Sequence, residues 1–244
     1  MRATDFEFRY RFWFILSIFL LAFSCYTFDH RDVVAEVLRR FFQHDRALEF
    51  ATARHWFQIS FAFSAILVAK GAFMRTWGSA YLRVEVVHDS VVRTEKLVAD
   101  GPFRYVRNPL YLGNLVMAAG VGMFATPIGW LVLVLGQTIF VLRLIGREEA
   151  GLVESQGDAY RAYQAAVPRL FPASIRPRVP AGGIQPRWLQ GFLGEAWMWV
   201  LALDGFIFAW RLDVHLYYTI LWVCVAGYFI RWIALKVWRR RRPV

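Results

Sequence analysis

The sequence predicts an all-α, polytopic transmembrane helical bundle of about six spans. Three observations carry this. Of the 244 residues, 58% are hydrophobic and 18% aromatic, and only 19% are charged, against about a quarter in soluble domains. Mean hydropathy is +0.38. Apolar runs of near-membrane length alternate with short arginine-rich stretches, and roughly twenty residues at a rise of about 1.5 Å match a hydrocarbon core of about 30 Å. Such a pattern excludes disorder, a collagen-like repeat and a disulfide scaffold. Cys25 and Cys224 both lie inside apolar runs, without partners at metal-ligand spacing.

The first expected span covers residues 12–28. It reads as a retained helix: Phe23 and Ser24 are poor cleavage neighbours, and Asp5 and Glu7 do not suit the basic start of a signal peptide. Next, Val34, Val37, Leu38, Phe41, Phe42 and Leu48 recur at helical spacing while Arg39, Arg40 and Arg46 take other positions. This is an amphipathic helix lying in the membrane interface. The second span covers residues 56–74. The third and fourth, 109–125 and 127–146, form a tight hairpin about Thr126-Pro127, a link so short that the helices run antiparallel side by side. The fifth covers 195–210 and the sixth 216–235. Three parts follow: 1–69 with the first two spans, a core over 70–172, and 173–244 with a linker, two spans and a basic tail.

The formal net charge is +11. Without a nucleic-acid-reading motif, that charge suits anionic lipid head groups and topology rather than RNA or DNA. Of the 29 lysines and arginines, 20 fall on the side of the two termini and 6 on the other. The positive-inside rule then puts both termini in the cytoplasm. The five histidines show no zinc spacing, so no metal is expected.

Two segments bear on chemistry. The first leads into the third span: Lys96-Leu97-Val98-Ala99-Asp100-Gly101-Pro102-Phe103-Arg104-Tyr105-Val106-Arg107-Asn108-Pro109-Leu110-Tyr111-Leu112-Gly113. Gly101-Pro102 signals a turn, Pro109 fits the first turn of a helix, and Asn108 is placed to cap it through its side-chain oxygen. Free N–H groups at a helix start form an anion site, though a plain loop and cap explain every residue equally. The second segment follows the fourth span: Arg147-Glu148-Glu149, Gly157-Asp158-Ala159-Tyr160-Arg161-Ala162-Tyr163 and Val167-Pro168-Arg169. Paired carboxylates where a helix leaves the membrane hold either an amino-bearing ligand or an ion network with Arg143, Arg147 and Arg161. Adjacent helical residues point about 100° apart, so at most one of the two glutamates faces a given pocket squarely.

Together these segments resemble the isoprenylcysteine carboxyl methyltransferase and phospholipid methyltransferase superfamily. The resemblance rests on Leu97-Val98…Gly101-Pro102-Phe103, Arg107-Asn108-Pro109-Leu110-Tyr111-Leu112-Gly113, Glu148-Glu149, the Gly157…Tyr160…Tyr163 run and Val167-Pro168-Arg169, between Lys70 and Pro172. Asn108 departs from the prenylcysteine branch, which has histidine there; the phosphatidylethanolamine branch looks like Asn-Pro-x-Tyr. The resemblance implies an integral membrane enzyme that uses S-adenosylmethionine and a lipophilic small-molecule acceptor. It also implies a cofactor site on Leu97, Val98, Gly101, Tyr105, Asn108, Pro109, Tyr111, Glu148, Glu149, Tyr160 and Tyr163.

Arg143, five residues before Glu148, lies roughly 7.5 Å further along the helix. It is expected to position substrate or stabilise charge, or else to snorkel to the interface. Lys70, Asp204 and Arg231 are candidates for an internal polar cluster. With no histidine in the motif region, proton removal would fall to a carboxylate such as Glu154. The alternatives are an NADPH-dependent sterol-type membrane reductase, whose Arg-x-Pro-x-Tyr-x-Gly element looks similar, and a non-enzymatic membrane protein. Gly120-Val121-Gly122 fits a dinucleotide fingerprint only by letters; inside an apolar helix it reads as close packing.

Overall fold

The computed structural model describes residues 2–42, 50–82 and 99–240, side chains excepted at 50, 51, 228, 229 and 231–240. The described chain is helical throughout apart from turns and loops: α1 (Asp5–Arg9), α2 (Arg11–Ser24), α3 (Val33–Phe41), α4 (Phe50–Tyr81), α5 (Pro109–Val121), α6 (Pro127–Gln156), α7 (Asp158–Ala166), α8 (Trp188–Gly194), α9 (Ala196–Arg211) and α10 (Val214–Arg240). The expected amphipathic helix is present as α3; its continuation through Arg46 and Leu48 lies outside the described residues, as do Leu97 and Val98.

The number of spans is lower than the sequence suggests. Among the described residues, Thr52–Tyr81 and Pro127–Gln156 are long and apolar enough to cross a membrane. A third span counts if α8 and α9, bent by 67° at their junction, are one broken helix. This corrects the expectation of about six, and helix length is the reason. The 14 residues of α2 and the 13 of α5 reach only about 20 Å, short of a core of about 30 Å. Apolar runs that look continuous are interrupted by tight turns at Cys25–Thr27 and Gly122–Phe124.

The hairpin forms as expected. Buried Thr126 caps α6 by accepting a hydrogen bond from the Gly129 N–H at 3.1 Å, with Pro127 in the first turn. Outward-facing Ile128, Leu131, Leu135, Ile139 and Leu142 recur along α6 at three- and four-residue intervals, an apolar stripe suited to lipid. On α4 the corresponding stripe is Ile59, Phe63, Ile66 and Phe73, and Lys70 is exposed among them.

The contact between α4 and α5 depends on small residues. A Cβ on Gly113 would lie 2.7 Å from Arg75 Cγ and 2.8 Å from the Gly71 carbonyl oxygen. Ser64 donates to the Gly120 carbonyl at 2.8 Å. In lipid, where apolar burial gives little drive between helices, such close backbone approach supplies the packing. Gly113, the last residue of the motif that opens α5, is thus explained by helix contact. α9 runs antiparallel to α4, with Phe208 against Phe61 and the Gln58 amide on the Trp210 carbonyl.

Candidate active site

The end of α6, its continuation α7 and the loop entering α5 meet at one carboxylate. Glu149 is 3% exposed. Its Oε1 accepts from Arg107 Nε at 2.9 Å and Asn108 Nδ2 at 3.1 Å, and its Oε2 from Arg169 Nε at 3.0 Å and Nη2 at 2.7 Å. Arg107 also donates through Nη1 to the carbonyls of Gln164 and Val167, at 2.7 and 2.6 Å. The Arg107-Asn108 and Val167-Pro168-Arg169 elements, some sixty residues apart, are therefore tied through one side chain.

Asn108 stands at the N-cap position of α5 but makes no side-chain cap bond. This corrects the expected capping role. Its Nδ2 donates to Glu149 and to the Arg169 carbonyl at 3.0 Å; a hydrogen bond to a carboxylate is the stronger kind, and it orients the amide toward this cluster. Glu148 points elsewhere, as 100° spacing requires, and accepts from Tyr111 Oη at 2.7 Å. Tyr111 packs between the clusters around Leu144 and around Ile145.

The flanking residues form the back of the site. Tyr160 and Tyr163 are buried with rings 5.8 Å apart, and Tyr163 Oη donates to the Phe103 carbonyl at 2.7 Å. Burial pushes both phenols above the ordinary tyrosine range, with the charge on Glu149 adding to this at Tyr160. Gly101 takes φ +56° over the Tyr81 ring, where a side chain would collide. Tyr105 packs against Trp77 with ring centroids 5.9 Å apart and planes tilted by 51°. Asp100 is buried and accepts from the N–H groups of Gly182 and Ile184 at 2.7 and 2.8 Å, folding the linker after residue 172 back over this turn.

A cleft of about 720 Å³ opens beside Glu149. One wall is the face of α6 carrying Gly146, Glu149, Ala150 and Val153, continued by Glu154 and Gly157; the other carries Arg161, Gln164 and Arg169, with Arg2 at the rim. Of the residues the sequence nominates for a cofactor, Glu149 lines this cleft. Gly101, Tyr105, Asn108, Pro109, Tyr111, Glu148, Tyr160 and Tyr163 stand around or behind it rather than among its lining residues. Sequence reading missed Arg2, Gln164 and the small-residue face, although Gly146, Ala150, Val153 and Gly157 follow i, i+4, i+7, i+11 spacing, the signature of one helix face.

Arg143 is engaged by Glu7. Its Nη2 donates to both carboxylate oxygens, at 2.9 and 2.7 Å. Glu7 in turn closes a capping box with Thr4 at the start of α1. The Arg143 hydrogen bonds hold its carboxyl down at about 2.

A second arginine–glutamate cluster lies at the bend between α8 and α9. Glu195, fully buried, accepts from Arg75 Nε and Nη2 at 2.9 and 3.0 Å and from Ser79 Oγ at 2.8 Å; Arg75 Nη1 donates to Asn114 at 2.8 Å. Asp204, 1% exposed, has neither oxygen hydrogen-bonded. The expected cluster with Lys70 does not form, since Lys70 lies on the outward stripe of α4, and the Arg231 side chain is outside those described. Among the described residues no group of three His, Cys, Asp or Glu side chains could hold a metal ion.

Residues 59–158 match the phospholipid methyltransferase family. The chain carries a phospholipid methyltransferase domain. This domain begins in α4 and ends where α7 starts, so it contains Arg107, Asn108, Glu148 and Glu149 and the α6 wall of the cleft. The chain is also similar to the methanethiol S-methyltransferase of Pseudomonas deceptionensis, at 40% identity over 86 residues. That stretch covers 32% of this chain and 31% of the relative, so the chain spans about a third of the relative's length. Both likenesses support membership in the S-adenosylmethionine-dependent methyltransferase superfamily. No solved structure matches.

Proposed function

We propose that the chain is an integral membrane methyltransferase that moves the methyl group of S-adenosylmethionine to a lipophilic acceptor, with its cleft facing the cytoplasm. The observation that carries this reading is the cleft itself, whose α6 wall, with Glu149, lies within residues 59–158. Its volume of about 720 Å³ falls within the roughly 300–1,000 Å³ of small-molecule sites. Carboxylates and arginines line it together, which suits a ligand with an amino-acid tail, a ribose and an amino-bearing base.

When bound, S-adenosylmethionine supplies a positively charged sulfonium whose methyl is open to in-line attack. The chain's part is to orient and to handle protons. Glu149 fixes the wall, and its place between two arginines keeps that wall rigid. Glu148 and Tyr111 support the α6 end from behind. An amine or thiol acceptor must lose a proton as it is methylated, whereas a carboxylate acceptor needs no base; Glu154 is exposed at the cleft and lines it together with Glu149. Arg143, tied to Glu7, acts through α1 rather than by touching the acceptor.

A second acceptor class, a small thiol, draws support from the activity named for the Pseudomonas relative. Methyl transfer from labelled S-adenosylmethionine to an extracted lipid pool, run beside a small alkanethiol, separates the two. Label entering the lipid fraction supports the lipophilic acceptor; label entering only the thiol moves the assignment to thiol methylation. Binding of NADPH in place of S-adenosylhomocysteine would replace both with a reductase.

A further inference from the structure

Residues 2–9 lie against α6 through a series of specific contacts. The Ala3 N–H donates to the Arg143 carbonyl at 2.9 Å, and Arg147 Nη1 reaches the Ala3 carbonyl at 3.4 Å. Glu7 pairs with Arg143, and Asp5 with Arg147. Phe8 is 5% exposed, packs with Phe140 and Leu144, and carries the Arg147 guanidinium 5.2 Å above its ring. Two ion pairs, one backbone–backbone hydrogen bond, one side-chain bond to a backbone carbonyl and a buried aromatic thus tie this segment to α6. They bring Arg2 to the rim of the cleft.

The charges around the cleft give that position a meaning. Arg161 is paired with Asp158 at 2.9 Å and Arg169 with Glu149 at 2.7 Å. Arg2 has no carboxylate partner among the described residues. Arg2 is thus the cleft-lining arginine that no described carboxylate holds, and the exposed carboxylate in the same cleft is Glu154.

We infer that residues 2–9 are a strap that completes the cofactor site, with Arg2 pairing the α-carboxylate of the ligand's amino-acid tail and Glu154 its α-ammonium. Arg143 and Arg147 are positioning residues: they hold the strap through Glu7 and Asp5 and so set where Arg2 stands. This rests on the methyltransferase reading of the cleft.

Two ligands that differ only in the tail test it on the purified full chain. S-adenosylhomocysteine carries the amino-acid tail; 5′-methylthioadenosine lacks it. Arg2→Ala is expected to weaken S-adenosylhomocysteine about three- to tenfold and leave methylthioadenosine unchanged, with Arg2→Lys recovering part of the loss. Releasing the strap by Asp5→Asn with Glu7→Gln is expected to cause a similar selective loss, and adding Arg2→Ala to that variant should cost little more. Equal weakening of both ligands, or none, in Arg2→Ala overturns the strap while leaving the methyltransferase reading intact. If the unaltered chain binds neither ligand, both fall.

Discussion

Two arginine–glutamate clusters stabilise this molecule, and they differ in what they leave open. At Glu195 the carboxylate is fully buried, Arg75 is 11% exposed, and every contact is to another helix of the bundle. At Glu149 the carboxylate is as deeply placed, but one of its two arginines, Arg169, is 49% exposed and borders a cleft. The first arrangement is sealed around a helix bend of 67° and fixes geometry. The second combines an inner cation, Arg107, 9% exposed, with an outer one, Arg169, that is half-exposed at the cleft. A buried ion pair is by itself weak evidence for stability or function; the open side distinguishes the Glu149 cluster as a site.

The sharpest way to break this comparison is to remove the inner cation of the sealed cluster. Arg75→Met leaves Glu195 buried and uncompensated, and about 3–5 kcal/mol of stability is expected to go. Thermal unfolding in detergent checks this, and the folded fraction that remains should bind S-adenosylhomocysteine with nearly unaltered affinity. Glu149→Gln should behave in the opposite way. A neutral amide retains part of the hydrogen bonding and Arg169 relaxes into solvent, so about 1–3 kcal/mol is expected to be lost. Affinity for S-adenosylhomocysteine, read by titration, should nevertheless fall clearly. Equal behaviour of the two variants would erase the distinction.

Smaller effects sharpen it. Asn108→Ala removes one donor from Glu149 and from the Arg169 carbonyl, and about 0.5–1.5 kcal/mol should disappear from the unfolding free energy. Asn108→His keeps a donor toward Glu149 and should bind cofactor; a well-folded variant without binding would count against the motif assignment. The smallest effect is on pH dependence. The Glu7 carboxyl is held at about 2 in the fold, below an ordinary value of 4.5, chiefly by Arg143. A lowered carboxylate contributes stability that is complete above 4.5 and fades as pH falls toward 2. The difference in melting temperature between the unaltered chain and Glu7→Gln should be constant from pH 5 to 7 and shrink below 4.5.

Much of the helical architecture was legible in the sequence, because apolar runs and the Thr126-Pro127 link are local signals. The number of spans was not. It depends on where a run stops being one continuous helix, and the turns at Cys25–Thr27 and Gly122–Phe124 carry no charge or proline inside them to announce the break. The bend before α9 was equally hidden, since its anchor, Arg75, is 120 residues away from Glu195. In the site, the motifs announced Arg107, Asn108 and Glu149 but not their partners. Asn108 before Pro109 reads as a cap by local rules, and a distant buried carboxylate overrides them. Arg143 beside a lipid-facing stripe reads as a substrate contact until α1 folds back and Glu7 takes the guanidinium.

On the proposed reading, the cleft on the small-residue face of α6 holds the cofactor. Ala150 lines that face and takes no part in either arginine cluster, so Ala150→Trp fills the cleft without cutting an ion pair. Titration of the purified variant with S-adenosylhomocysteine, beside the unaltered chain, is the most direct measurement. Saturable binding to the unaltered chain is expected, with its loss in Ala150→Trp at a similar melting temperature. Undiminished binding in a folded Ala150→Trp protein would contradict it and move the cofactor elsewhere.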